Sequence, residues 1–149
     1  MIVDGNQKNL GLKMTPIQPD GKELLAGLGH LVAKRFDITI RNLKRKLTNR
    51  EHPSDAAFHE YMDTLSNEER PVRIAQYALE TFLHDMMASF DESETYFIFA
   101  KKAQGFAVNL KDFTIDSLHA ETLDWLENFS EDRTIHDIIY DISEKNGNV

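Results

Sequence analysis

SNEERPVRIAQYALETFLHDMMASF, residues 66–90, is the stretch whose reading decides the fold. It opens with a capping box: the Ser66 hydroxyl and the Glu69 carboxylate are spaced to satisfy each other's orphan backbone amides. Pro71 falls near the first turn, where a missing N–H costs least. Ala75, Ala78, Leu79, Phe82, Leu83, Met86, Met87 and Phe90 then recur at helical spacing. The stripe they form is wide enough to place this helix at the centre of the molecule.

Upstream, Leu25, Val32, Phe36, Ile40, Leu43 and Leu47 fall in one narrow stripe at about 100° per residue, which predicts a helix from Lys22 to about Leu47 with Asp20 as its cap. Leu24, Leu28 and Leu31 widen its first half. Phe36-Asp37-Ile38-Thr39-Ile40 also alternates as a strand would, but the helical stripe runs through it without a phase break. Glu51-His52-Pro53 ends the helix. Ser54 is expected to cap a short helix through Ala57, Phe58, Tyr61, Met62 and Leu65. Downstream, Asp91-Glu92-Ser93-Glu94 breaks the pattern. The runs Tyr96–Lys101 and Phe106–Leu110 around Lys102-Ala103-Gln104-Gly105 read as a hairpin, which must lean on the helices to persist in water. One further helix carries Leu118, Trp125, Leu126 and Phe129. Another, after Thr134, carries Ile135, Ile138, Ile139 and Ile142. The expected structure is a predominantly helical α+β domain of about five helices with one β-hairpin (residues 96–110). Residues 1–21 form an irregular N-terminal arm and 22–145 a single globular domain.

The 149 residues include no cysteine, which removes disulfides and thiolate chemistry. The start has no apolar leader-like run, and no apolar run is long enough to span a bilayer, so the expectation is a cytoplasmic protein without membrane contact. Charge is divided unevenly. Residues 1–53 hold ten Lys/Arg against five Asp/Glu, a net of +5, and residues 54–149 hold seven against twenty, a net of −13. Such polarity biases which partners approach and how they are oriented.

Residues 79–130 resemble a pattern found in small uncharacterised bacterial proteins: an amphipathic helix ending around a His-Asp pair, a hairpin, then Asp-Gly-Leu-His-Gly-Glu and a Trp three or four residues later. The matching pieces are Leu83-His84-Asp85, the hairpin, and Asp116-Ser117-Leu118-His119-Ala120-Glu121 with Trp125, Phe129 and Ser130. Ser117 and Ala120 stand where the pattern has glycine. The resemblance implies a reusable module and no established activity. Some such proteins look like immunity partners of bacterial toxins.

Chemistry-bearing residues are sparse. His84, His119 and Glu121, with Asp85 nearby, form the one set whose donors suit zinc or iron. Against it, the spacing matches no metal motif, and Asp116 or Ser117 is a natural cap beside a His119 that hydrogen-bonds backbone. Asp55, His59 and Asp63 share a helix face and read as a solvated ion-pair row. Glu80 is one turn from His84, and Asp132, His136 and Tyr140 read as ordinary surface contacts. Trp125, Phe129, Met86 and Met87 are expected in the core. No nucleophile elbow or phosphate-binding glycine loop is present, so no catalytic residue and no cofactor is assigned. Lys34, Arg41, Lys44, Arg45 and Arg50 could face phosphates, but the acidic remainder would repel nucleic acid. The leading expectation is a non-enzymatic protein–protein interaction module, immunity or antitoxin-like, meeting a basic protein through Asp124, Glu127, Glu131, Asp132, Asp137 and Asp141. The alternative is a metal-dependent, hydrolase-like enzyme using His84, His119 and Glu121. A homodimer joining basic and acidic ends is a third arrangement.

Overall fold

A computed structural model describes residues 21–101, 105, 107–114 and 116–147. The expected N-terminal arm, Gly21 apart, lies outside the described residues, as do positions 102–104 of the hairpin turn. Five α-helices and one two-stranded antiparallel hairpin make up the described chain, a predominantly helical α+β fold. No described helix is long and apolar enough to cross a membrane.

Helix α1 spans Gly21–Thr48, so residues 36–40 are helical and the strand reading of them fails. After a 3-10 turn at Pro53–Asp55 comes α2, Ala56–Thr64. Ser54 does not cap it: its hydroxyl lies 2.7 Å from His52 Nδ1. Helix α3 spans Glu69–Glu92 beneath the expected capping box, in which Glu69 N–H donates to Ser66 Oγ and Ser66 N–H to Glu69 Oε2, each at 3.2 Å. It continues past its apolar stripe to include Asp91, which proves decisive below.

The hairpin is shorter than its composition suggests. Strand β1 (Phe99–Lys101) pairs with β2 (Ala107–Asn109), Ala100 opposite Val108. Its approach is tied to α1 where the Tyr96 hydroxyl donates to the Leu24 carbonyl at 3.0 Å. That crossing requires Gly27, because a Cβ there would lie 2.0 Å from the Tyr96 hydroxyl. A 3-10 turn at Leu110–Phe113 leads to α4 (Leu118–Phe129) and then α5 (Ile135–Lys145). Ser117 and Thr134 cap these helices by accepting from Ala120 N–H and Asp137 N–H.

Helix α3 is central, packing against α1, α4 and α5, while α2 packs on α5. The tightest apolar cluster is nevertheless not midway along the long helices. It is Phe58 and Met62 of α2 against Ile135 of α5, surrounded by Tyr61, Leu65, Ile74, Tyr77, Ile138 and Ile139. Trp125 and Phe129, expected in the core, lie on the surface, because the inward face of α4 is filled by Leu118 and Thr122. The expected solvated row on α2 also breaks up. Asp55 and His59 are buried, and only Asp63 is exposed, paired with Arg50.

Asp55 sits between α1 and α2, taking an ion pair from Lys46 at 2.5 Å and from Arg45 at 3.6 Å. Lys46 also lies 5.0 Å from the Phe58 ring centre and 5.4 Å from that of Tyr77. Burial opposes the charge on Asp55, but the Lys46 hydrogen bond and the positive charges of Lys46, Arg45 and His52 outweigh it, so its carboxyl is held below the usual range.

Two more carboxylates, both on α3, hold the C-terminal helices. Glu80, 5% exposed, accepts from the backbone N–H groups of Ile135 (2.9 Å) and His136 (3.3 Å), the first residues of α5, and meets His136 Nδ1 at 2.8 Å. Gln76 donates to Glu80 at 2.8 Å and to the Arg133 carbonyl at 2.9 Å, tying in the turn before α5. Asp91 repeats the arrangement on α4: it accepts from Leu118 and His119 N–H, each at 2.9 Å, and meets His119 Nδ1 at 2.8 Å. An ionised carboxylate only accepts, so both Nδ1 atoms carry hydrogen. Burial raises each carboxyl's pKa. For Glu80 the His136, Ile135 and Gln76 hydrogen bonds outweigh that effect, and for Asp91 those from Leu118 and His119 do. Both end below the usual carboxylate range.

Glu80→Ala leaves amides at the α5 terminus without their acceptor, and Asp91→Ala does the same to α4; each is expected to cost about 2–3 kcal/mol in urea unfolding at neutral pH. Because the folded-state pKa values are depressed, the stabilisation is full above the ordinary carboxylate range and is lost as pH falls through the depressed values. Unfolding measured from neutral to acid pH should therefore show declining stability, with a shallower decline in Glu80→Gln and Asp91→Asn.

Candidate functional site

The clamps place α4 alongside α3, and the two helices enclose a trough of about 400 Å³. Val72, Ala75, Leu79 and Leu83 of α3 and Leu126 of α4 form its apolar lining, and Arg73, Gln76, Glu80, Ser130, Asp132 and Thr134 its polar part. Leu79 is 67% exposed, and Phe129, one turn beyond Leu126, is 83% exposed.

The six carboxylates expected to bind a partner are not equivalent. Asp132 lines the trough and stands 3.9 Å from Arg73. Asp124, Glu127 and Glu131 are exposed on α4 and just after it, with no ion pair to a described residue within 4 Å. Asp137 and Asp141 are half-buried and engaged. Asp137 accepts from the Thr134 hydroxyl and Asp141 pairs with Arg133 at 2.6 Å. The Asp141 hydrogen bond raises the Arg133 pKa against slight burial, helped by the charges of Asp141, Asp137 and Glu127. The acids without an ion pair to a described residue are thus Asp124, Glu127 and Glu131, while Asp132, partly engaged by Arg73, is the one of the six that lines the trough.

The basic pole is partly neutralised within the molecule. Arg45 and Lys46 meet Asp55, Arg50 meets Asp63, and Arg35 lies 3.9 Å from Glu92. Lys34, Arg41 and Lys44 stay exposed on α1.

Of the candidate metal set, His84 and His119 do come together, their rings edge to face with centroids 5.2 Å apart. The carboxylate that meets His119 is Asp91. Its Oδ1 is taken by Leu118 N–H and its Oδ2 by His119 N–H and Nδ1. His84 Nδ1 lies 3.5 Å from Asp85. Among the described residues no group of three or more His, Asp or Glu side chains is arranged to hold a metal ion. His119 was expected to bond backbone; it bonds a carboxylate. Glu80 does not serve His84, and His136 does not sit in a surface row, because the two bind each other.

A second cavity, of about 310 Å³, lies between α1 and α3 beside the Asp55 knot, walled by Thr39, Lys46, Tyr77 and Thr81. No family model, curated protein or solved structure matches the chain.

With Asp91 fully engaged, added zinc has too few converging donors for tight binding. The melting temperature is expected to be the same with and without equimolar zinc. A rise of several degrees that disappears in His84→Ala would make the paired imidazoles a metal site.

Proposed function

We propose that this chain is a non-enzymatic protein-binding module whose contact surface is the α3–α4 trough with the exposed carboxylates on and just after α4. The observation that carries the reading is the apolar lining of the trough, with Leu79 largely uncovered, on a helix pair whose α4 also carries exposed Asp124, Glu127 and Phe129 and is followed by exposed Glu131. An apolar centre with a polar margin is the usual anatomy of a protein interface. The ligand that fits is an amphipathic helix with a basic outer face. Its apolar side lies between α3 and α4, and its Lys or Arg residues meet these carboxylates. Apolar contact supplies the affinity, and the carboxylates supply orientation and rapid, salt-sensitive association. In this form the chain acts as an immunity or antitoxin-like partner, covering a cationic surface of another protein.

The single tryptophan, Trp125, precedes Leu126 on α4 and is part-exposed, so its emission is the natural probe of a ligand seated against this helix. Titration with a synthetic Leu/Lys amphipathic helical peptide is expected to shift Trp125 emission to the blue with micromolar affinity. A scrambled peptide of the same composition should have no such effect. Reversing Asp124, Glu127 and Glu131 to Lys should weaken binding at low salt by about tenfold and flatten its salt dependence. Leu79→Asp should abolish binding. Peptide affinity indifferent to both changes would remove the trough as the binding surface.

A further inference from the structure

Helix α1 carries a second uncovered apolar face, on another side of α3 from the trough. Leu25 is 70%, Phe36 55% and Ile40 46% exposed, and Val32 continues the line between them. Leu28, Gly29, Val32, Ala33, Phe36 and, as its one charged residue, Asp37 line an open groove beside Phe82 of α3, whose ring packs edge to face with Phe36 at 6.3 Å between centres. We propose that this face is covered by the same face of a second copy, with the two α1 helices antiparallel about a two-fold axis passing between Val32 and Ala33.

Shape, area and charge each support that occupant. A two-fold at that point sets Phe36 of one copy opposite Gly29 of the other and Leu25 opposite Ile40. Nothing lies within 4 Å of where a Cβ on Gly29 would stand, so the glycine leaves a notch for the opposing ring. Leu25, Val32, Phe36 and Ile40 leave on the order of 400 Å² of apolar side chain uncovered per copy. Pairing with the flanking Leu28 and Ala33 therefore buries roughly 1,000 Å² in total, the lower bound for specific association. A micromolar dimer matches that area. Charge selects the antiparallel sense. A parallel pair would set Lys34, Arg41 and Lys44 against their own copies. The antiparallel pair sets Arg41 and Lys44 near the first turns of the partner helix, where Glu23 lies, and opposes the two helix dipoles.

The absence of cysteine makes the geometry directly testable, since any introduced thiol is unique. Sedimentation of the full chain at tens of micromolar should show a dimer that persists in high salt, because the contact is apolar. Phe36→Glu should be monomeric with unchanged helical circular dichroism and unchanged peptide binding at the trough. A short bismaleimide should join two copies of Val32→Cys. It should not join two copies of Leu25→Cys, whose thiols stand about 22 Å apart in the antiparallel pair. A 1:1 mixture of Leu25→Cys and Ile40→Cys should cross-link. A monomer at these concentrations overturns the proposal, including one in which residues 1–20 cover the stripe. So does a dimer that survives Phe36→Glu, one that dissociates in salt, or one in which Leu25→Cys joins to itself.

Discussion

Two carboxylates on one face of α3 organise the C-terminal half of this molecule. Glu80 and Asp91 are eleven residues apart, three helical turns, so they point the same way about 16 Å from each other along the axis. Each takes the first two amides of a following helix and the imidazole of its second residue. Desolvation works against a buried carboxylate, yet the N-terminus of a helix supplies unpaired donors and the positive end of its dipole. Here those donors win, as the lowered pKa of both groups shows. The spacing also acts as a ruler. Helix α4 starts at Asp91, and its twelve residues cover about 18 Å, which returns the chain to the level of Glu80, where α5 begins. The trough between α3 and α4 exists because both ends of α4's path are pinned to the same helix.

What the sequence made legible was local. The capping box at Ser66–Glu69, the 3.6-residue stripes of α1 and α3, and the cap at Ser117 depend on residues within a turn of each other and are present, whereas the equally local cap expected at Ser54 is lost to His52. The clamps were illegible because each carboxylate acts on residues far along the chain: Glu80 on Ile135 and His136, Asp91 on Leu118 and His119. A signal was nonetheless there. Ser117-Leu118-His119 and Thr134-Ile135-His136 repeat the order of cap, aliphatic residue and histidine, and two acids three turns apart on one helix could have been matched to them. Periodicity misled in another respect. It ranks stripes by width, which favoured α3 and made Trp125 and Phe129 core residues, whereas the tightest packing is around short α2, whose Phe58 and Met62 meet Ile135.

Charge polarity in the sequence survives folding only in part. Four cations of the basic stretch find acids from the rest of the chain, at Asp55, Asp63 and Glu92, and two of the six acids assigned to a partner are engaged by Thr134 and Arg133. The remaining acidic surface is narrower than composition suggests, and most of it lies on or just after α4, the helix that also carries exposed Trp125 and Phe129. That coincidence matters more than the net charge. A carboxylate alone in water has little reason to prefer a partner, whereas one at the margin of a desolvated contact is strengthened as water leaves.

Both uncovered apolar faces adjoin α3, and they differ in what surrounds them. Helix α4 carries exposed Asp124 and Glu127, with Glu131 just beyond it, whereas α1 carries exposed Lys34, Arg41 and Lys44 against the single Asp37 of its groove. The difference sorts their occupants: a cationic amphipathic segment is attracted to the first and repelled by the second. The α1 face is left to a surface that can offset its own cations, which an antiparallel copy of the same helix does by exchanging its acidic beginning for its basic end. The proposed pairing and the proposed binding are therefore compatible in one molecule. A dimer joined through α1 leaves both troughs uncovered, so a partner carrying two basic segments could engage both, and the second contact would form at the high effective concentration set by the first.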